Sequence, residues 1–347
     1  MKVLVTGSNG YIGSVLVPLL KEDGHAVCGF DSDLYSECSY GPPFPEFPFI
    51  KKDIREVELA DLEGYDAVIH LAALSNDPLS DLNPRLTYEI NHMASVRIAK
   101  LARSAGVSRF LFSSSCSTYG ASGDNLLNEE ASFKPVTPYG DTKVLVERDV
   151  SALATDTFSP TFLRNATAYG VSPRMRFDLV INNLVAWAFA SGLVYLKSDG
   201  TPWRPVVHVE DIARAFITIL QAPREVVHNQ AYNIGSNEEN YQILDLARIV
   251  EKTVPGCRIE FAKDAGPDKR CYRVDFGKFY STFPQYQPKW DAISGAIDIY
   301  ESYKKYGIRQ EDFEGPRYKR IDHIKWLLDM GRLDGTLRWV TRQTSGM

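Results

Sequence analysis

The opening residues, "MKVLVTGSNGYIG", constrain the fold more than any other stretch of the chain. A β-branched apolar run over residues 3–6 leads into Gly7, Gly10 and Gly13, and a helical pattern follows over 15–21. Glycines at a strand-to-helix corner allow a tight turn, close approach of backbone to a pyrophosphate, and close packing of helix on strand, with the helix N-terminus facing the anion. A glycine triplet alone is weak evidence. The next strand, "HAVCGFD", gives it weight, because Asp31 closes that strand 18 residues after Gly13, where a carboxylate accepts both hydroxyls of a ribose. A carboxylate at that place repels a 2'-phosphate, so the corner favours NAD over NADP.

Beyond the corner, short β-branched runs keep alternating with helical patterns: "DAVIHLAA", a helix over about 84–105, "RFLFSSS", and strands near "PTFLRNA" and "QAYNIG". Such alternation builds a parallel sheet covered by helices on both faces, so the expected class is α/β, a Rossmann-type doubly wound parallel sheet. After about residue 165 the alternation lapses. The expected division gives 1–165 to a dinucleotide-binding domain, with 202–235 returning to it. It gives 166–201 and 236–347 to a smaller, interleaved C-terminal substrate-binding lobe. The proline-rich "YGPPFPEFPF" reads as a surface loop. Near the C-terminus, Ile321, Ile324, Leu327 and Leu328 fall at helical spacing, which predicts a helix packing on the second lobe. The basic cluster of the same segment has a second reading, an approach to the substrate.

With a formal charge of -5, the chain has no overall attraction to nucleic acid or anionic membrane, so an anionic ligand must be held by a few local arginines. The 5 cysteines are odd in number and lack a C-x-x-C pair, which suits reduced thiols in a cytoplasm and indicates no metal site. No charged-then-apolar leader precedes the first strand. The most apolar long stretch, 179–196, contains Asn182 and Asn183 and falls short of a membrane span. A soluble cytoplasmic protein, without nucleic-acid or membrane partners, is the expectation.

In "TPYGDTK", Thr137 suits a helix cap, Pro138 suits the first turn, and Tyr139 and Lys143 lie four apart on one face. A cation beside a phenol favours the phenolate and lowers its pKa from about 10, which makes Tyr139 a proton acceptor. Alone, Y-x-x-x-K is more often a surface pair than a catalytic one.

Taken with "TGSNGYIG", "KKDIRE", "HLAAL" and "FLFSSSCSTYG" in this order, the chain resembles the extended short-chain dehydrogenase/reductases of the nucleotide-sugar epimerase/dehydratase group over nearly its whole length. The resemblance implies NAD bound by Gly7, Asn9, Gly10, Tyr11, Ile12, Gly13 and Asp31. It places Asp53 and Ile54 at the adenine, Leu71, Ala72 and Ala73 along the cleft, and Asn91 and Ser113 near the cofactor. A helix cap is the other reading of Asn91. The catalytic hydroxyl would be Ser115, four before Tyr119, bonding the reacting sugar hydroxyl while Tyr139 takes its proton. Lys143 would also hold the nicotinamide ribose. Ser114 and Tyr119 would be structural.

On the substrate side the resemblance implies Ser115, Cys116, Ser117, Thr167, Arg204, Arg270 and Arg273. Arg204, in "RPVVHVED", would reach the nucleotide diphosphate, as would Arg270 or Arg273, and His208 reads as structural. The family's R-x-x-N-x-[YF]-G stands here as "RNATAYG", so Thr167 replaces an asparagine. The family's 4,6-dehydratases carry Asp and Glu after the catalytic hydroxyl residue. Here Cys116 and Ser117 follow Ser115, which argues against dehydration, and Cys116 is expected to line the pocket rather than donate a proton. The expected activity is epimerisation of a nucleotide-diphosphate sugar through a transient keto-sugar. A net keto-sugar reductase or dehydrogenase, or a non-catalytic dinucleotide sensor, are the alternatives. A homodimer is implied, built from the helices over 84–105 and 139–153.

Overall fold

Seven parallel strands form the central sheet: β1 (Lys2–Thr6), β2 (Ala26–Asp31), β3 (Phe49–Lys51), β4 (Ala67–His70), β5 (Arg109–Ser115), β6 (Ser159–Asn165) and β7 (Gln230–Ile234). The structure is a computed structural model and describes residues 1–120, 125–266 and 271–340. The strands lie in the order β7-β6-β5-β4-β1-β2-β3, so the direction of strand addition reverses between β1 and β4. Ligands of such sheets bind outside the carboxyl ends of the strands at that reversal. Thr6, Asp31, His70 and Ser115 end their strands there.

The sheet is buried on both faces, and the period of two in its side chains sorts them between two cores. Val3 and Val5 pack with Leu16, Phe216 and Ile219 on one side. Leu4 packs with Phe30, Val68 and Ile98 on the other. A third core joins Met175, Phe177, Leu184 and Tyr303, under the helices Val180–Ser191, Ile243–Thr253 and Ala292–Tyr306.

Two expectations about chain division change. Trp203–His208 does not return to the large sheet. It pairs with Thr167–Tyr169 on one side and Asn240–Gln242 on the other, serving two short strands whose backbone groups would otherwise lack partners. The return begins with helix Val209–Gln221, whose Ile212, Phe216 and Ile219 enter the first core. The predicted C-terminal helix forms as Arg320–Asp329, but Ile324 and Leu327 pack with Leu4, Phe30 and Ile54, on the nucleotide-binding half. Its apolar stripe carries no information about which core receives it. Phe313 and Tyr318 still belong to the third core, so the chain crosses between halves just before this helix.

The helix expected over 84–105 is wound unevenly. Pro84–Thr87 and Ser95–Ser104 are α-helical, and Tyr88–Ala94 between them is a π-helix. Such turns carry an extra residue and concentrate at functional sites.

Candidate active site

The glycine corner forms as the spacing predicts. Gly7 has φ 73°, and a Cβ there would lie 2.7 Å from the Ala72 nitrogen, while one on Gly13 would lie 2.3 Å from the Gly7 carbonyl oxygen. These contacts pull β1, the first helix Gly13–Glu22 and the loop after β4 together. The result is a cleft lined by Gly7, Gly10, Tyr11, Ile12, Gly13, Asp31, Asp53, Ile54, Leu71, Ala72 and Ala73. A backbone cradle at a helix N-terminus, with a carboxylate one strand away, fits a dinucleotide.

Asp31 accepts from the backbone N–H groups of Asn9 (3.0 Å) and Asp33 (2.8 Å). Burial nonetheless pushes its carboxyl up to about 6, with those two hydrogen bonds opposing. Asn9 shapes the cleft rather than lining it, since its side chain donates to Asp33 Oδ1. Asp53 caps the turn Ile54–Glu56 and grips the guanidinium of Arg55 with both oxygens. Asn91 departs from both readings. It lies within the π-helix, 2% exposed, accepts from Leu74 N–H (2.7 Å) and donates to Leu74 O (3.0 Å). It therefore fixes the loop that carries Ala72 and Ala73 instead of facing the cleft or capping a helix. His70 bridges Thr6 Oγ1 and Ser95 Oγ, tying β1 and β4 to the same helix.

The catalytic candidates come together where β5 ends. Thr137 caps helix Pro138–Ser151, accepting from Gly140 N–H at 3.3 Å and donating to Asp77 Oδ1 at 2.7 Å. Tyr139 thereby reaches Ser115 and hydrogen-bonds to it. Ser115 Oγ accepts from Ser117 N–H (3.1 Å) and Ser117 Oγ (2.9 Å). A hydroxyl that accepts two hydrogen bonds has its own proton left to give, and Tyr139 lies in reach.

The cation acting on this phenol is not the expected one. Lys143 is 3% exposed, donates to Ser113 O at 2.7 Å, and sits 4.5 Å over the Phe112 ring and 5.6 Å from the centre of the Tyr139 ring. Burial lowers its ammonium to about 7. Tyr139 is pushed up to about 12 by burial, against the Ser115 hydrogen bond and the charge of Arg176, so the expected fall below 10 does not occur. Arg176 itself is gripped by Asp178, with Nε at 3.1 Å, and donates to Ser75 Oγ at 3.2 Å.

Beneath β5 lies a buried polar chain. Ser114 Oγ donates to Glu147, Glu147 holds Arg164 through Oε2 to Nη2 at 2.7 Å, and Arg164 Nη1 donates to the Tyr119 hydroxyl, which donates to Asn233. Ser113 Oγ accepts from Asn165. Cys116 does not line a pocket. It is 0% exposed in the core, where its thiol donates to Arg164 O (3.1 Å) and burial pushes its pKa well up. The reason is local: β5 ends at Ser115, and the turn Cys116–Tyr119 directs its first side chain inward.

On the substrate side, Thr167 opens the strand Thr167–Tyr169, opposite Val206. Arg204 and Arg273 are brought together: Arg273 lies 4.6 Å over Trp203 and Arg204 lies 5.6 Å from the centre of the Tyr272 ring. Arg270 lies outside the described residues. His208 is structural, its Nδ1 accepting from Glu210 N–H at the head of the next helix and its ring stacked on Trp290 at 4.4 Å.

Comparison with known proteins now decides the family. The profile of the NAD dependent epimerase/dehydratase family matches residues 3–235. This chain belongs to that family. It is 30% identical over 309 residues to a UDP-glucose 4-epimerase of Neisseria meningitidis serogroup C, covering 79% of this chain and 89% of that protein. Among solved structures, MoeE5 in complex with UDP-glucuronic acid and NAD is 28% identical with a TM-score of 0.76, covering 88% of this chain and 99% of that one. The UDP-glucuronic acid 4-epimerase from Bacillus cereus is 26% identical with a TM-score of 0.74, covering 88% and 99%. The cofactor of this epimerase/dehydratase is NAD.

For a member of this family, the cleft also takes in residues that the sequence alone did not bring forward: Ser32, Leu34, Tyr35, Leu74, Ser75, Arg176, Arg320 and Leu337. Arg176, in "SPRMRFD" just after "RNATAYG", carried a signal as one of two arginines close together in an acidic chain. Arg320 belongs to the basic cluster read as approaching a ligand, and the structure sets it against the cofactor cleft.

Proposed function

We propose that this chain is an NAD-dependent nucleotide-sugar epimerase that acts through a transient keto-sugar, with a UDP-hexose or UDP-hexuronic acid inverted at C4 as the substrate class. The names of the relatives support the substrate class. The observation that carries the mechanism is Ser115, whose oxygen accepts twice from Ser117 and whose proton is left for Tyr139. NAD, held by the glycine corner, Asp31 and Lys143, supplies reversible hydride acceptance when bound. A sugar hydroxyl seated between Ser115 and Tyr139 gives its proton to the phenolate, and Ser115 relays hydrogen bonding as the ketone forms. Reversal on the opposite face of the sugar returns the proton from Tyr139 and completes inversion. Arg204 and Arg273, with Trp203 and Tyr272, are assigned to the nucleotide diphosphate, within a substrate lobe centred on the third core. Dehydration is excluded in this reading, because the Cys116 thiol is turned onto Arg164 O and Ser117 is a hydroxyl committed to Ser115.

The same reading makes the working unit a homodimer. Met93 is 62% exposed on the helix over 88–104, beside a surface formed by His92, Val96, Lys100 and Asp149, the place where a copy of that helix would pack. The cysteines among the described residues are all free, which supports a cytoplasmic setting. Incubating the purified protein with UDP-glucose and UDP-glucuronic acid, without added cofactor, and resolving the products by chromatography tests the proposal. A C4 epimer is the expected product. Stoichiometric release of NADH, or a 4-keto-6-deoxy sugar, would overturn it.

A further inference from the structure

Arg320 is 2% exposed, and among the described residues it forms no ion pair. One arm donates to Arg174 O at 2.9 Å, and the guanidinium lies 4.0 Å over the Tyr35 ring. The other arm, Nη1, is buried and has no partner. Asp178, which feels its charge, is committed to Arg176. A guanidinium withdrawn from water without a counter-charge is costly, and it is left with a donor to spend. The cleft it borders is the one formed by the glycine corner and Asp31.

The segment that follows runs back over the same cleft. Leu337 is 5% exposed, lines it, and has φ 61°, a conformation that a branched residue adopts only under constraint from its surroundings. Its neighbours supply that constraint. Trp339 Nε1 donates to Ser32 O at 2.6 Å, directly after Asp31, and Lys51 lies 5.4 Å over the Trp339 ring. Arg338 Nε donates to Glu56 at 3.1 Å, at the end of the turn that Asp53 caps. The segment is thus pinned to the ends of β2 and β3 and to the Asp53 turn, the three pieces that border the ribose and adenine.

Building on the NAD-dependent reading above, we propose that residues 320–340 form a strap that retains the adenosine half of NAD, with Arg320 Nη1 donating to its diphosphate and Leu337 closing over the nucleoside. The cofactor is then held between turnovers, as an enzyme that lends and recovers one hydride requires.

The test reads cofactor binding rather than sugar turnover, so it is independent of the substrate assignment. The holoenzyme and its variants are passed through gel filtration, the retained NAD is extracted and counted, and displacement by ADP is compared with displacement by adenosine. Arg320→Met is expected to weaken NAD and ADP by about ten- to a hundredfold, the range for a hydrogen bond to a charged group, with adenosine changed less than twofold. Arg320→Lys is expected to recover most of that loss, and it serves if the methionine variant does not fold. Trp339→Phe, which removes only the donor to Ser32, is expected to raise the NAD release rate about tenfold. Equal loss for ADP and adenosine in Arg320→Met, or an unchanged release rate in Trp339→Phe, would overturn the strap. Wild-type protein that binds no NAD at all would instead overturn the reading on which the strap rests.

Discussion

Replacing Glu147 with alanine should cost this protein more stability than any change at its surface. Glu147 and Arg164 are each 5% exposed. The carboxylate receives Arg164 Nη2 at 2.7 Å, Arg164 Nε at 3.1 Å from both oxygens, and the hydroxyl of Ser114. In Glu147→Ala the guanidinium keeps only the Tyr119 hydroxyl and Glu129 O, both at 3.0 Å, and neither is charged. Removing one partner of a buried pair costs about 3–5 kcal/mol, because the other charge stays behind uncompensated. That is two to four powers of ten in the folded-to-unfolded ratio, against a total stability of about 5–15 kcal/mol. Equilibrium urea unfolding followed by circular dichroism should show the midpoint falling by roughly 1 M, at a slope near 3 kcal/mol/M. The paired replacement Glu147→Leu with Arg164→Met should recover most of the loss, since an apolar pair of similar volume has no charge to strand. A Glu147→Ala midpoint within about 0.3 M of wild type, at unchanged slope, would refute this account of the pair.

Tyr139→Phe should lower turnover by about 10²–10⁴, the range for a lost acid–base group, with an unchanged circular dichroism spectrum; turnover within tenfold of wild type would remove Tyr139 from the chemistry. Cys116→Ala should keep most of its activity, since the thiol faces Arg164 O rather than the site, and initial-rate assays that show a large loss would contradict that placement. The Asp31 carboxyl, raised by burial to about 6, is charged above that pH and gains a proton below it. The NAD dissociation constant measured by calorimetry should therefore rise about tenfold per pH unit below 6, and Asp31→Asn should bind more weakly at neutral pH but with no such slope. A wild-type affinity that stays flat down to pH 5 would show that the ionised form is not required.

What could be read from the sequence was what lies close together along the chain. The glycine corner, Asp31, the Thr137 cap and the end of β5 are each set by a few consecutive residues whose local chemistry allows little else. The Tyr139 environment was not of this kind. Spacing puts Lys143 on the same helix face, but the carbonyl of Ser113, on another strand, captures its ammonium, and Arg176 arrives from the far side of the cleft. Cys116 failed for a related reason, because a strand that ends one residue earlier turns the next side chain into the core. Arg320 and Leu337 are nearly three hundred residues from the glycines they face, and an apolar helical stripe names no partner.

The π-wound turn at Tyr88–Ala94 makes the length of its helix matter as much as its composition. From Leu86 to Ala102, the buried residues fall at 86–87, 90–91, 94–95, 98–99 and 102, a repeat of four. An ideal α-helix turns by about 100° per residue, so each repeat overshoots a full circle by about 40°, and four repeats would carry the stripe roughly 160° around the axis. The turn with more residues per circuit takes up part of that excess and keeps Asn91 on the loop after β4 while Ile98 and Ala99 stay in the core. A substitution here is a local event. Deleting one residue would restore regular winding and rotate the whole of Ser95–Ser104 by about 100°, presenting Ile98 to water and Lys100 to the core, so this helix can drift in sequence but cannot lose or gain a residue.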